Sequence, residues 1–321
     1  MTRAPHPGKG APATPRRTIF FAALCFLLVP AVSRAVEPNL AAAVAEAADG
    51  RVYSVGLCDG EQSVSIDITP ASRCHNSYST AKLFTAAAVG LLVDRAELSI
   101  DEPIYPILAP YFPETFDPRW KEVTVEHLLT HFVGFGEDFR DIDIDSEDPR
   151  SWGTDDYLGR AVSNNLVYPP GEKEVHSDAA FYLLSRVVAV RAGKGLDDFL
   201  RDEFFVPMRF AEYAFSRCPH GYALGATGIY LSAEDMAKFG AMYAAGGVYR
   251  GRRCLSEEYV RRSIQRHYAL YPIGEDGFRF QKGGMNGQVI YINTRTGLAA
   301  AIQSFGGDLG DIEKILLEHD R

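Results

Sequence analysis

An α+β fold, with one antiparallel sheet flanked by helices and an inserted all-helical subdomain, is what this sequence predicts. Three observations carry the expectation. β-rich runs bounded by turn residues occur near both ends of the chain. Helical periodicity broken by Pro- and Gly-bearing loops fills the middle. A long Ala- and Leu-dense segment joins the first strands to that middle.

Residues 1–35 stand apart from the rest. Arg3, Lys9, Arg16 and Arg17 precede an apolar run from Ile19 to Val32, and Ser33-Arg34-Ala35 offers a small-x-small site, which reads as a signal peptide cut after Ala35. The run is interrupted by Pro30 and falls short of the roughly 20 residues a spanning helix needs, so no stable membrane span is expected after cleavage. Arg16-Arg17 ahead of Thr18, Ile19 and Phe20 also fits a twin-arginine export signal. A periplasmic or secreted location follows.

The 321 residues are 46% hydrophobic and 12% aromatic, enough for a substantial core. Lys and Arg number 33 against 42 Asp and Glu; the leader takes five of the basic residues and none of the acidic ones, leaving a net charge of −14. That balance argues against nucleic acid or an anionic membrane surface as partner. Cys25 departs with the leader. Cys58, Cys74, Cys218 and Cys254 form an even set, compatible with disulfides between the sequence neighbours Cys58–Cys74 and Cys218–Cys254, or with free buried thiols.

In the mature chain, Ala41–Ala48 is a first helix, followed by strands over Arg51–Leu57 and Gln62–Thr69 joined by Asp59-Gly60. Ser79 to Glu97 is a long helix buried on most sides. Helical patterns then cover Val125–Thr130, Ala179–Ala192, Leu196–Phe204 and Ala233–Tyr243, the all-helical part being placed at about 101–249. Strands resume at Gly277–Gln281, Val289–Asn293 and Leu298–Ser304, with turns at Asn286-Gly287 and Thr294–Gly297, and a helix closes the chain near Asp311–His319. One domain over 36–321 therefore draws its sheet from about 36–100 and 250–321.

Ser79-Thr80-Ala81-Lys82 is the only Ser-x-x-Lys in the chain. At a helix start this spacing puts a hydroxyl and an amine on one face. A serine hydroxyl is a poor nucleophile until a neighbouring base takes its proton, and a lysine can do so if burial or another cation lowers its pKa.

The surrounding segments, taken in order, resemble the β-lactamase and penicillin-binding serine hydrolase family, particularly its class C and esterase-like branch. The family's Ser-x-x-Lys helix looks like Ser79–Asp101, and its "TVxHLLTHxSG" looks like Thr124 to Gly134. Its "PG…YSN…LL" looks like Pro170-Gly171, His176-Ser177-Asp178 and Leu183-Leu184, and its "GGxxSTAxDMAxFG" looks like Ala226 to Gly240. Its third signature, Lys- or His-x-Gly on a strand, looks like Lys282-Gly283-Gly284. The resemblance implies a β-lactamase/transpeptidase-like fold and an acyl-enzyme on Ser79. It makes Lys82 the proton partner and Lys282 the anchor for a substrate carboxylate or a tuner of the site's potential. Backbone N–H groups of Ser79 and Met285 would form the oxyanion hole, with Gly283 and Gly284 letting substrate lie against the strand. No cofactor is implied.

One departure matters chemically. Where the family has Tyr-x-Asn, this chain has His176-Ser177-Asp178. A histidine near 6.5 is already a neutral base at pH 7, and nearby cations would keep it so, which makes His176 the candidate general base. Asp178 either orients that imidazole or pairs with Lys82, in which case the lysine serves as an electrostatic partner instead of the base.

The function expected is an exported serine hydrolase acting on a small-molecule ester, amide or cell-wall peptide; the competing reading is a non-catalytic penicillin-binding or sensor protein that keeps the fold. The altered second motif favours an esterase, amidase or peptidase over a dedicated β-lactamase. His127 and His131 have the i, i+4 spacing of a metal pair but lack the Glu of His-Glu-x-x-His, and are read as structural. There is no Gly-x-Ser-x-Gly nucleophile elbow. The acidic stretch Asp138–Asp148 is read as a solvated loop, with a lid over the cleft as the alternative.

Overall fold

A computed structural model describes Met1 and residues 38–142 and 156–319. All of the expected leader except Met1 lies outside the described residues, as does the larger part of Asp138–Asp148. The chain opens with helix α1 (Pro38–Ala47) and strands β1 (Val52–Cys58), β2 (Ser63–Asp67) and β3 (His75–Asn76). Helices α2 (Ala81–Asp94), α3 (Tyr105–Leu108), α4 (Val125–Leu129), α5 (Tyr157–Val162), α6 (Asp178–Ala192) and α7 (Leu196–Leu200) follow. Then come β4 (Tyr213–Phe215), β5 (Ile229–Leu231), helix α8 (Ala233–Ala244), the small hairpin β6 (Val248–Tyr249) and β7 (Arg252–Arg253), and helix α9 (Glu257–Gln265). Strands β8 (Tyr271–Pro272), β9 (Arg279–Gly284), β10 (Gln288–Asn293) and β11 (Ala299–Ser304) lead to helix α10 (Gly310–Glu318). Among the described residues, no helix is long and apolar enough to cross a membrane.

The two chain ends meet in one antiparallel sheet of order β2-β1-β11-β10-β9-β8. Register places Val55 opposite Ile302 and Ile290 opposite Lys282. Because side chains alternate along a strand, Val289, Tyr291 and Ile302 point to one face, where Leu40 and Val44 of α1 and Ile312 and Leu316 of α10 cover them. Ile290, Ile292 and Ala301 point to the other face, which α8 covers. At Gly56 on β1 an added Cβ would lie 2.2 Å from the Ala233 carbonyl oxygen, so the absence of a side chain is what lets α8 start so close to the sheet.

Helix α2 is buried from Ala81 through Gly90. Its run of alanines favours the helix and also lets neighbours approach from several sides. Phe84 stacks on Phe239 of α8 at 4.1 Å between centroids, fastening the segment that follows Ser79 to the sheet-side helix.

The expectation of an all-helical stretch at 101–249 is amended in one respect. Helices are the main elements of the stretch, but β4 and β5 pair there with β3 in a second, three-stranded sheet, and α8 packs on the large sheet. Three-residue strands are too short to show alternation, which is why the sequence did not reveal them. Of the two readings of the cysteines, the structure has the second: Cys58, Cys74, Cys218 and Cys254 are free thiols. Cys58 ends a strand of the six-stranded sheet while Cys74 precedes a strand of the three-stranded one, so nearness in sequence does not carry over to pairing. Burial pushes the Cys58 thiol up to about 11.

Candidate active site

Ser79 sits in a single 3-10 turn, Tyr78–Thr80, that feeds directly into α2. Tyr78, the residue before it, is held at φ +47°, a left-handed conformation that is strained for a bulky side chain. Local bonds hold it there: the Tyr78 N–H donates to Asn76 Oδ1 (3.0 Å), which also accepts from the Gly228 N–H (3.2 Å). Thr80 Oγ1 donates to the Ser77 carbonyl at 2.8 Å. Ser79 itself is half-buried, in keeping with a group that must be reached.

One turn on, Lys82 is fully buried and donates to Ser79 Oγ at 2.8 Å, to Asp178 Oδ1 at 2.6 Å and to the Ala226 carbonyl at 3.4 Å. A buried ammonium is tolerable only when paired and hydrogen-bonded, and these three acceptors do that. Of the two roles open to Asp178, the structure selects the pairing with Lys82.

Asp178 begins α6, where a carboxylate also complements the helix dipole. Ser177 caps the helix, its Oγ accepting from the Ala180 N–H at 3.3 Å. Asp141 caps it a second time, accepting from the Asp178 N–H (2.9 Å) and the Ala179 N–H (2.8 Å).

His176 is exposed overall, yet its ring lies 4.5 Å from that of His131, tilted by 33°. Partial burial, then the charges of Lys82 and Lys282, push its pKa down to about 4, against an upward pull from Asp178. His131 is 2% exposed and accepts the Ser177 N–H on Nδ1 (3.2 Å), so its proton is on Nε2. Burial, then His176, Lys82 and Lys282, hold its pKa well below the usual histidine value. The His131 carbonyl accepts the Val175 N–H at 3.0 Å, so this residue grips the segment on both sides of His176.

Lys282 projects from β9, 5% exposed and without a carboxylate partner among the described residues. Burial, then the charge of Lys82, push it down to about 7, and its Nζ lies 5.7 Å from the Tyr271 ring centroid. Gly283 faces open space, leaving the strand bare for a ligand. Gly284 is packed against the Ser79 turn: a Cβ there would fall 2.9 Å from the Ser77 carbonyl oxygen and 3.1 Å from the Ser79 nitrogen. Close approach of two backbones, the Ser79 turn and the strand end carrying Met285, is what an oxyanion hole made of main-chain N–H groups requires.

The structure thus brings Ser79, Lys82, Asp178 and Gly284 into direct contact, with Lys282 and His176 close enough to act electrostatically. The two residues that sequence reasoning set aside are His131, taken as structural, and Asp141, assigned to a solvated loop. His131 lies within the Thr124–Gly134 segment, which was a usable signal; nothing in the sequence marked Asp141. His127 instead closes a capping box on α4, its Nδ1 accepting the Thr124 N–H at 3.2 Å. Among the described residues no cluster of three or more His, Cys, Asp or Glu side chains is arranged to hold a metal ion.

A hydroxyl held by an ammonium, with an imidazole and a second lysine nearby and two backbone edges close together, can support nucleophilic acyl transfer. The chain is similar to "Penicillin-binding protein 4" of Amycolatopsis lactamdurans, 30% identical over 171 residues, which are 52% of this chain and 42% of the relative. It is also similar to "Esterase EstB" of Burkholderia gladioli, 33% identical over 127 residues, 37% of this chain and 32% of the relative. The chain therefore spans less than half the length of these curated relatives. In fold it is similar to the penicillin binding protein from Bacillus halodurans, with a TM-score of 0.64 at 20% identity, covering 83% of this chain and 95% of that one. The Beta-lactamase family profile matches residues 32–310, which include every residue of the site, and the chain belongs to the Beta-lactamase family.

Proposed function

We propose that this chain is an exported serine hydrolase that forms an acyl-enzyme on Ser79 and acts on an ester or amide. The observation that carries the reading is the contact of Lys82 Nζ with Ser79 Oγ (2.8 Å) and Asp178 Oδ1 (2.6 Å). Lys82, committed to a carboxylate, polarises the hydroxyl and stabilises the developing alkoxide; it is the wrong group to take the proton. His176 is the proposed acceptor: with its pKa pushed down to about 4 by burial and the two lysines the imidazole is neutral throughout the physiological range, and this weak base relies on the ammonium at Ser79 Oγ to make the hydroxyl easier to deprotonate.

In the first step Ser79 Oγ bonds to the substrate carbonyl carbon as its proton passes to His176. The carbonyl oxygen becomes an oxyanion facing the Ser79 and Met285 N–H groups, each such donor being worth about 3–4 kcal/mol of barrier. The alcohol or amine then leaves with the proton from His176. In the second step water adds to the acyl carbon as His176 takes its proton; the Ser79 Oγ–acyl bond then breaks, the proton passes from His176 to Ser79 Oγ, and the acid product is released with the enzyme restored. Lys282 anchors a carboxylate on the substrate, and Gly283 leaves room for it along β9. The match to an esterase supports an ester; the match to a penicillin-binding protein supports a peptide or β-lactam amide.

Intact mass spectrometry after incubation with p-nitrophenyl esters, β-lactams and D-Ala-D-Ala peptides tests the reading. An added acyl mass with steady turnover, absent in Ser79→Ala, is the expected result. Turnover unchanged in Ser79→Ala would refute it, and a permanent adduct without turnover would point to a sensor.

A further inference from the structure

We propose that Asp141 is a positioning residue for the hydrolytic site, acting on Ser79 through Asp178 and Lys82; the role rests on the hydrolase reading above. Four observations support it. Asp141 Oδ2 accepts the Asp178 N–H (2.9 Å) and Oδ1 the Ala179 N–H (2.8 Å), so one carboxylate fixes the first two residues of α6. The side chain of Asp178, thus oriented, meets Lys82 at 2.6 Å, and Lys82 meets Ser79 at 2.8 Å. Every link is within hydrogen-bond distance.

Asp141 is itself anchored from behind. Asn164 accepts the Arg140 N–H (2.9 Å) and donates to the Arg140 carbonyl (3.0 Å), and Arg160 Nε donates to the Asp141 carbonyl (3.3 Å). Phe139 stacks on Phe135 at 4.2 Å and 8°, pinning the same segment to the core. The chain of contacts therefore runs from α5 and the loop after it to the nucleophile.

The carboxylate is also placed where a charge is not free. Burial pushes Asp141 up, with the nearby Asp178 carboxylate acting in the same sense, while the N–H groups of Asp178, Ala179 and Ile142 act against them. Asp141 accepts two open N–H groups of the helix start, and that cap lies on the residue whose carboxylate meets Lys82. A catalytic ammonium needs its counter-ion held to within a fraction of an ångström, and the double cap supplies that.

The test compares wild type, Asp141→Asn, Asp141→Ala and Ser79→Ala in steady-state hydrolysis of p-nitrophenyl butyrate and in labelling by a fluorophosphonate, with thermal melting of each. Asn keeps one carbonyl acceptor and Ala keeps none, so a graded loss is expected: kcat down about ten-fold for Asn and about a hundred-fold for Ala, with KM within about two-fold. Labelling of Ser79 should slow in the same order, while Asp141→Asn melts within a few degrees of wild type. Wild-type kcat in Asp141→Asn and Asp141→Ala would overturn the role alone, as would losses that appear equally in KM or that follow the melting temperature. Absence of turnover and labelling in wild type would overturn the hydrolase reading and the role with it.

Discussion

Lys282 gives the sharpest energetic prediction, because it is a buried cation facing a second cation. Its pKa falls from the ordinary 10.5 to about 7, chiefly through burial. At about 1.4 kcal/mol for each pH unit, that gap corresponds to about 5 kcal/mol of folding free energy, an order-of-magnitude ceiling. The sign follows from proton counting. Below pH 7 both folded and unfolded chains carry the proton, and the full desolvation penalty is present. Between pH 7 and 10.5 the unfolded chain binds more protons, so stability rises with pH; above 10.5 both forms are neutral and the penalty is gone.

Replacing Lys282 by methionine, a neutral side chain of similar length, should therefore stabilise the protein at pH 6 by about 2–5 kcal/mol. The gain should shrink between pH 7 and 10. Urea unfolding of wild type and Lys282→Met at a series of pH values measures the difference directly, since other alkaline effects cancel between the two proteins. Hydrolysis of carboxylate-bearing substrates should fall at the same time, marking stability given up for function. A destabilised variant at pH 6, or a difference that does not change with pH, would refute the reasoning.

Three further outcomes are expected. The pH–rate profile of ester hydrolysis should have its acid limb near 4, where His176 gains a proton, and a limb near 7 for substrates that rely on charged Lys282; an acid limb near 6.5 would mean that the cations do not control the imidazole. Gly284→Ala should lower kcat about 100-fold or more, because the new Cβ displaces the backbone at Ser79, and a crystal structure of the variant should show the turn shifted; unchanged kcat would remove this strand from the oxyanion hole. Asp178→Asn should destabilise the fold by about 3–5 kcal/mol by leaving the fully buried Lys82 without its counter-charge, as calorimetry would read, whereas a change under 1 kcal/mol would show that the pair is dispensable.

Much of this protein was legible in its residues alone, where local patterning decides structure. Apolar runs over Val289–Asn293 and Leu298–Ser304, bounded by turn residues, marked strands, and the Ala-rich run after Ser79 marked the helix, because both depend on local propensity and punctuation. Spacing put Ser79 and Lys82 together, since three residues on a helix are always neighbours. What the sequence could not decide depends on segments far apart in the chain. Whether Asp178 turned to His176 or to Lys82 was settled by where α6 docks on α2, and it docked with Asp178 at 2.6 Å from the ammonium. His176 carries a histidine's ordinary pKa in the sequence and one near 4 in the fold, because partial burial and then the charges of Lys82 and Lys282 act on it. Asp141 looked like one more carboxylate in an acidic loop until the tertiary structure laid it across the head of a helix. Short-range periodicity is written in neighbouring residues; desolvation, charge pairing and capping by remote groups exist only once the chain has closed on itself.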